Sequence, residues 1–137
     1  MADRLVFDLE PVLAFVQNHL PGFSRADGMR AIGLERRGAL IAGVVFEGFN
    51  GKNMWIHVAA AQGGRWLTRT FLKACFTYAF EICRVDRLSG YVNASNQQAR
   101  AFDEHLGFKE EARLEGAAPD GGDVIVYRMR RKECRYV

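Results

Sequence analysis

Residues 93–108, NASNQQARAFDEHLGF, leave the chain around them little freedom. Asn93, Ser95 and Asn96 are residue types whose side-chain oxygens accept from the free amides of a helix N-terminus. Ala99, Phe102 and Leu106 follow at spacings of three and four, which gives a short helix one apolar face. Gly107 can take the left-handed conformation that closes a helix. Phe108 falls where an apolar side chain folds back on the last turn, here against Phe102. The pattern predicts a helix over 95–106, preceded by a strand at 86–92 and followed by another strand-rich run. Strand, capped helix and abrupt glycine exit form one unit.

The rest of the chain alternates in the same way. Residues 4–7 predict a first strand. Asp8 as a cap and Pro11 in a first turn predict a helix over 10–20, with Val12, Leu13, Phe15, Val16 and Leu20 inward. Pro21-Gly22 ends it, and 23–28 reads as a loop. Two strands, 29–36 and 40–49, join at Arg37-Gly38 as a hairpin. The second is apolar on both faces, which predicts a central strand in a covered sheet. Asn50-Gly51 is a turn signal. In the next strand, 53–58, Met54, Ile56 and Val58 face one way and Asn53, Trp55 and His57 the other. A loop at 59–64 leads into the longest predicted helix, 65–83, with Leu67, Phe71, Ala74, Cys75, Tyr78 and Ile82 on its apolar face. Strands at 109–116 and 123–131 around Pro119-Asp120-Gly121-Gly122 complete a terminal hairpin.

The predicted order is β-α-β-β-β-α-β-α-β-β. Strand–helix–strand in the middle requires a parallel pair, and the hairpins on either side require antiparallel ones. The fold class expected is α+β: a mixed, mostly antiparallel central sheet with helices on both faces. The 137 residues suffice for one domain, 1–137, that buries roughly 65–70% of its unfolded surface.

Composition narrows the function classes. A formal charge of +3, with acidic and basic residues interspersed, does not call for a nucleic-acid partner. No apolar run approaches the roughly 20 residues of a membrane span, and no signal-peptide pattern opens the chain. Cys75, Cys83 and Cys134 are odd in number and lack C-x-x-C spacing, which argues against a disulfide framework or a metal site. They read as reduced, buried thiols of a cytoplasmic protein.

The pattern formed by Asn96, Ala99, Phe102, Leu106, Gly107 and Phe108 resembles the strand–helix signature of the GNAT N-acetyltransferases. The order of elements agrees, lacking only that family's usual second N-terminal helix, and the resemblance is strongest from Met54 to Arg131. It implies the acyl-CoA N-acyltransferase fold, acetyl-CoA as co-substrate, and acetyl transfer to a small-molecule or peptide amine. The ending from Tyr127 to Tyr136 is similar to that of small acetyltransferases of phages and prophages, and a homodimer through the last strand is common among such proteins.

The candidate site follows from both lines. Gly63 and Gly64 let backbone amides approach a ligand closely, and a helix N-terminus favours an anion. Arg65 and Arg69, placed against the helix dipole, call for a negative group such as the CoA phosphates. By resemblance, CoA lies on Val58, Gly63, Gly64, Arg65, Trp66, Leu67 and Thr68, with Asn96 as a further contact. Trp66 departs from the family pattern, which has a glycine there. A solvated arginine face with a plain Gly-Gly turn is the alternative.

His57, near the end of the central strand, is the candidate base, because ligands gather at such strand ends and its proton affinity lies near neutrality. The alternative is a sheet-surface histidine bonded to a neighbour. Glu47 and Asn53 could share its role. Asp103 stands where the family often has a tyrosine that protonates the departing thiolate, and an ionised carboxylate is no donor. Tyr127 and Tyr91 are substitutes by residue type, although both are expected to pack in the sheet. Asp120 and Asp123 read first as turn residues. No metal is expected. A non-catalytic acyl-CoA-binding protein and an interaction module using the basic C-terminal strand are the rival readings.

Overall fold

The computed structural model describes residues 3–63 and 65–137, so Gly64 lies outside the described residues. Seven strands form one sheet: β1 (Arg4–Val6), β2 (Arg30–Arg36), β3 (Ala39–Glu47), β4 (Asn53–Ala60), β5 (Arg87–Asn93), β6 (Lys109–Leu114) and β7 (Val124–Arg130). Their spatial order is β1-β2-β3-β4-β5-β7-β6, and β4–β5 is the parallel pair in an otherwise antiparallel sheet. The helices are α1 (Leu9–His19), α2 (Arg69–Thr77) and α3 (Gln97–Leu106). The expected α+β architecture is the observed one.

β3 is buried on both faces, as its unbroken apolar run predicts. Val45 joins Val12, Leu13 and Val16 of α1 in one core. Val44 and Phe46 point the other way, into the larger core with Phe71, Phe76, Leu106 and Tyr127. The two α-helices of the second half thus cover one face and α1 the other. Gly33 and Gly43 face each other across β2 and β3. A Cβ at Gly33 would lie 2.8 Å from Val12, and one at Gly43 would lie 3.1 Å from both Val12 and Val16. The glycine pair forms a trough in which α1 sits close to the sheet.

The helix predicted over 65–83 is shorter and less regular. Thr68 is extended and its hydroxyl accepts from the Phe71 amide at 3.2 Å, so α2 starts at Arg69. Its last turn, Tyr78–Ile82, is π-helical. Arg65, Trp66 and Leu67 therefore belong to the loop. Asp8 occupies the cap position of α1 without a side-chain bond to the helix. α3 matches its signals: Asn96 accepts from the Ala99 amide at 3.1 Å, and Gly107 has φ 112°. Phe108 is buried, but its aromatic neighbour is Phe76 rather than Phe102. Among the described residues no helix is long and apolar enough to cross a membrane.

Candidate active site

Between β4 and β5 the sheet opens. Their pairing spans Asn53–Trp55 against Arg87–Ser89, yet β4 runs on to Ala60 and β5 to Asn93. Beyond Trp55 and Ser89 the backbone groups that would join the strands are left without each other. A cavity of about 770 Å³ fills the gap, with Ile56, His57 and Val58 on one side and Gly90, Tyr91 and Val92 on the other. It reaches both faces of the sheet. On the face of α1 it is lined by the 20–26 loop and Glu47, and on the opposite face by Asn96, Phe102 and Asp103 of the α3 segment.

His57 projects to the α1 face, in register with Val45. Its Nε2 lies 2.5 Å from a Glu47 carboxylate oxygen. The contact is a close approach rather than an aligned hydrogen bond, since the same nitrogen has no well-directed partner. Burial pushes the imidazole below its ordinary pKa, and the Glu47 charge opposes that shift. Burial disfavours the charged ring, and the Glu47 carboxylate beside it is placed to stabilise a proton that it takes. Of the two residues expected to share its role, Glu47 is the one in contact with it. Asn53 is not: its side-chain oxygen accepts from Ser89 at 2.6 Å, outside the cavity.

Asp103 stands in surroundings unlike those of an ordinary ionised carboxylate. It is half-buried in the cavity wall, and burial, reinforced by the charge of Glu104, pushes its pKa up to about 7. Near neutral pH a substantial fraction carries a proton that it can donate. Tyr127 does not compete for that role. It is fully buried, and its hydroxyl donates to Glu104 at 2.7 Å. Tyr91 departs from expectation, being 53% exposed beside the cavity instead of packed in the sheet.

Solved structures of spermidine and spermine N-acetyltransferases superpose on this chain. A mutant form of SpeG from Vibrio cholerae matches with a TM-score of 0.78 over 96% of each chain at 18% identity. SpeG from the same organism in complex with manganese ions matches with a TM-score of 0.75, covering 93% of this chain and 92% of that one at 19% identity. A chimera of Vibrio cholerae SpeG with hSSAT gives 0.77 over 99% of each chain at 18% identity. The chain has the GNAT acetyltransferase fold. No family model matches the sequence, and no curated protein does.

On this GNAT frame, the residues expected to hold CoA fall into two groups. Val58 and Asn96 line the cavity, where the cap bond of Asn96 leaves its side-chain N–H groups uncommitted. Gly63, Arg65, Trp66, Leu67 and Thr68 gather before α2, outside the cavity lining. Gly63 has φ 76° with open space above its α-carbon, a backbone a ligand can approach. The amides of Arg69 and Thr70 find no acceptor among the described residues, and the first turn of α2 holds no acidic side chain. Free amides and the absence of an acidic side chain favour an anion at such a helix end. Trp66 turns inward, its ring 4.9 Å from that of Phe102, so its side chain ties the loop to α3.

Asp120 accepts from Gly122 and Ser95, and Asp123 from Gly116, which is turn chemistry. No cysteine is among the residues lining the cavity, and burial drives the Cys75 thiol up, away from the reactive thiolate. The basic ending is threaded with carboxylates: Arg128 pairs with Glu111 and Glu133, and Arg131 with Asp86. The sequence reading missed the wall formed by Phe23 and Tyr91. Its available signal was parity, because Tyr91 follows Arg87 and Ser89 on the alternate, non-core side of β5.

Proposed function

We propose that the protein is an N-acetyltransferase that moves an acetyl group from acetyl-CoA directly to an amine. The observation that carries this reading is the cavity opened through the sheet, with a buried imidazole beside a partly exposed carboxylate on one face and a protonatable carboxyl on the other. Proton-accepting and proton-donating groups held apart in one cavity are what transfer between an amine and a thioester needs. The shared fold with spermidine N-acetyltransferases supports an amine as acceptor.

Acetyl-CoA would supply an acyl group activated as a thioester. The free amides of Arg69 and Thr70 with Gly63 would hold its phosphates at the α2 N-terminus. Asn96 and Val58 would contact the arm that enters the cavity. Backbone N–H groups of β4 released by the strand separation would stabilise negative charge developing on the carbonyl oxygen. His57, backed by Glu47, takes the amine proton as the C–N bond forms. As the C–S bond breaks, Asp103 returns a proton to the departing sulfur.

The test is acetyl-CoA binding by thermal shift and native mass spectrometry, alongside release of free thiol with a panel of primary amines. Binding together with amine-dependent thiol release is expected. Absence of any acetyl-CoA binding would sink the reading, and binding without turnover would mark a non-catalytic acyl-CoA-binding protein.

A further inference from the structure

We propose that the acceptor is a monoamine carried on an aromatic or other flat apolar body, and that Phe23 and Tyr91 select it. This rests on the acetyltransferase reading above. On the α1 face of the cavity, two rings converge on the His57 imidazole, where an amine would lose its proton. Phe23 lies 4.7 Å from the His57 ring at an interplanar angle of 57°. Tyr91 approaches the same ring at 5.6 Å and 80°, edge to face. Trp55 continues the aromatic wall behind Tyr91 at 6.0 Å. Tyr91 is a large, exposed ring on a sheet surface beside the cavity, a placement that favours ligand contact over core packing.

The charges point the same way. Among the described residues lining the cavity, the charged side chains besides His57 are Arg25, Glu47 and Asp103. Glu47 is already engaged with His57. Asp103 stands on the opposite face, beside α3. Arg25, on the loop that closes the α1 face, is a cation whose guanidinium meets Glu10. A polyamine entering here would find Glu47 as the one carboxylate lining that face, and at Arg25 an ion pair already closed with Glu10 rather than a further carboxylate for a second ammonium. A single ammonium needs only Glu47, and the body behind it can lie along the faces of Phe23 and Tyr91, which also attract the cation.

The experiment compares 2-phenylethylamine with spermidine as acceptors for the intact protein, measured as kcat/KM by release of free thiol. We expect 2-phenylethylamine to exceed spermidine by at least about tenfold. Phe23→Ala and Tyr91→Ala should each raise its KM by about tenfold while leaving the KM for acetyl-CoA in place. Spermidine used as well as or better than 2-phenylethylamine would overturn the proposal, as would variants that slow both amines equally. If acetyl-CoA raises the melting temperature but neither amine turns over, the thermal shift by each amine in the presence of CoA decides. Stabilisation by 2-phenylethylamine alone supports the proposal, and stabilisation by spermidine alone or by neither rejects it. If acetyl-CoA itself does not bind, the failure belongs to the acetyltransferase reading.

Discussion

Nε2 of His57 sits 2.5 Å from a carboxylate oxygen of Glu47, in a side chain only 8% exposed. Burial drives the imidazole pKa down and Glu47 holds it up. Glu47→Gln removes the opposing charge, so the imidazole should lose its proton at still lower pH and become a weaker base. The acid limb of the kcat profile is expected to move to lower pH, with a maximal rate reduced by roughly tenfold or more. His57→Ala should cost roughly 10²-fold in kcat with acetyl-CoA binding intact. A rate profile that keeps its acid limb in Glu47→Gln would show that the pair does not act together.

Asp103 must carry its proton to donate it, and its pKa is pushed up to about 7. The kcat profile should therefore rise as His57 is freed of its proton, below its ordinary value near 6.5, and fall again as Asp103 ionises near pH 7. Asp103→Asn should abolish the falling limb and lower the rate by roughly 10²-fold with acetyl-CoA. An activated aryl thioester, whose leaving thiolate needs no proton, should be much less affected. A falling limb that persists in Asp103→Asn would assign it to another group.

The same carboxyl has a stability signature that needs no assay of turnover. Its folded pKa of about 7 lies above the unfolded reference of 3.8, so the folded state is favoured by the proton. That contribution is intact below pH 3.8 and is lost as pH rises through 7. Asp103→Asn should therefore stabilise the protein on the order of 2 kcal/mol at pH 8, with the advantage narrowing toward pH 4. Melting curves of both proteins across that range check it. A difference that does not vary with pH would mean the carboxyl ionises as it does in the unfolded chain.

Trp66 anchors the loop before α2 through its contacts with Phe71 and Phe102. Trp66→Ala leaves the cap of Thr68 in place but removes the clamp. Acetyl-CoA affinity should fall by roughly tenfold, alongside a stability loss of about 2 kcal/mol or more. Isothermal titration and denaturant unfolding read the two effects separately.

Local signals with a physical mechanism were legible in the chain. The caps and glycine exit of α3, the doubly apolar β3 and the parity of His57 all act over a few residues, and each appears where the pattern places it. Trp66 was misplaced because its long-range contact with Phe102 and the Thr68 cap together override the helical periodicity of 65–83. The proton on Asp103 was illegible for a similar reason. Its desolvation comes from burial in the folded chain, which no local pattern around residue 103 states. Glu47 and Tyr91 could be named as candidates by residue type, but their contacts with His57 depend on strand register, which no stretch of sequence states alone.

The bare α-carbons of Gly33 and Gly43 let α1 lie nearly on the backbone of the sheet. The chain leaving α1 at Leu20 passes at once into the segment that sets Phe23 against His57. The thickness of one methyl group beneath that helix is thus coupled to the distance between two rings at the mouth of the cavity. In evolutionary terms, the range of amines such a protein accepts can drift through changes deep under α1 that touch no ligand. A survey of variants confined to the lining would overlook where that freedom is stored.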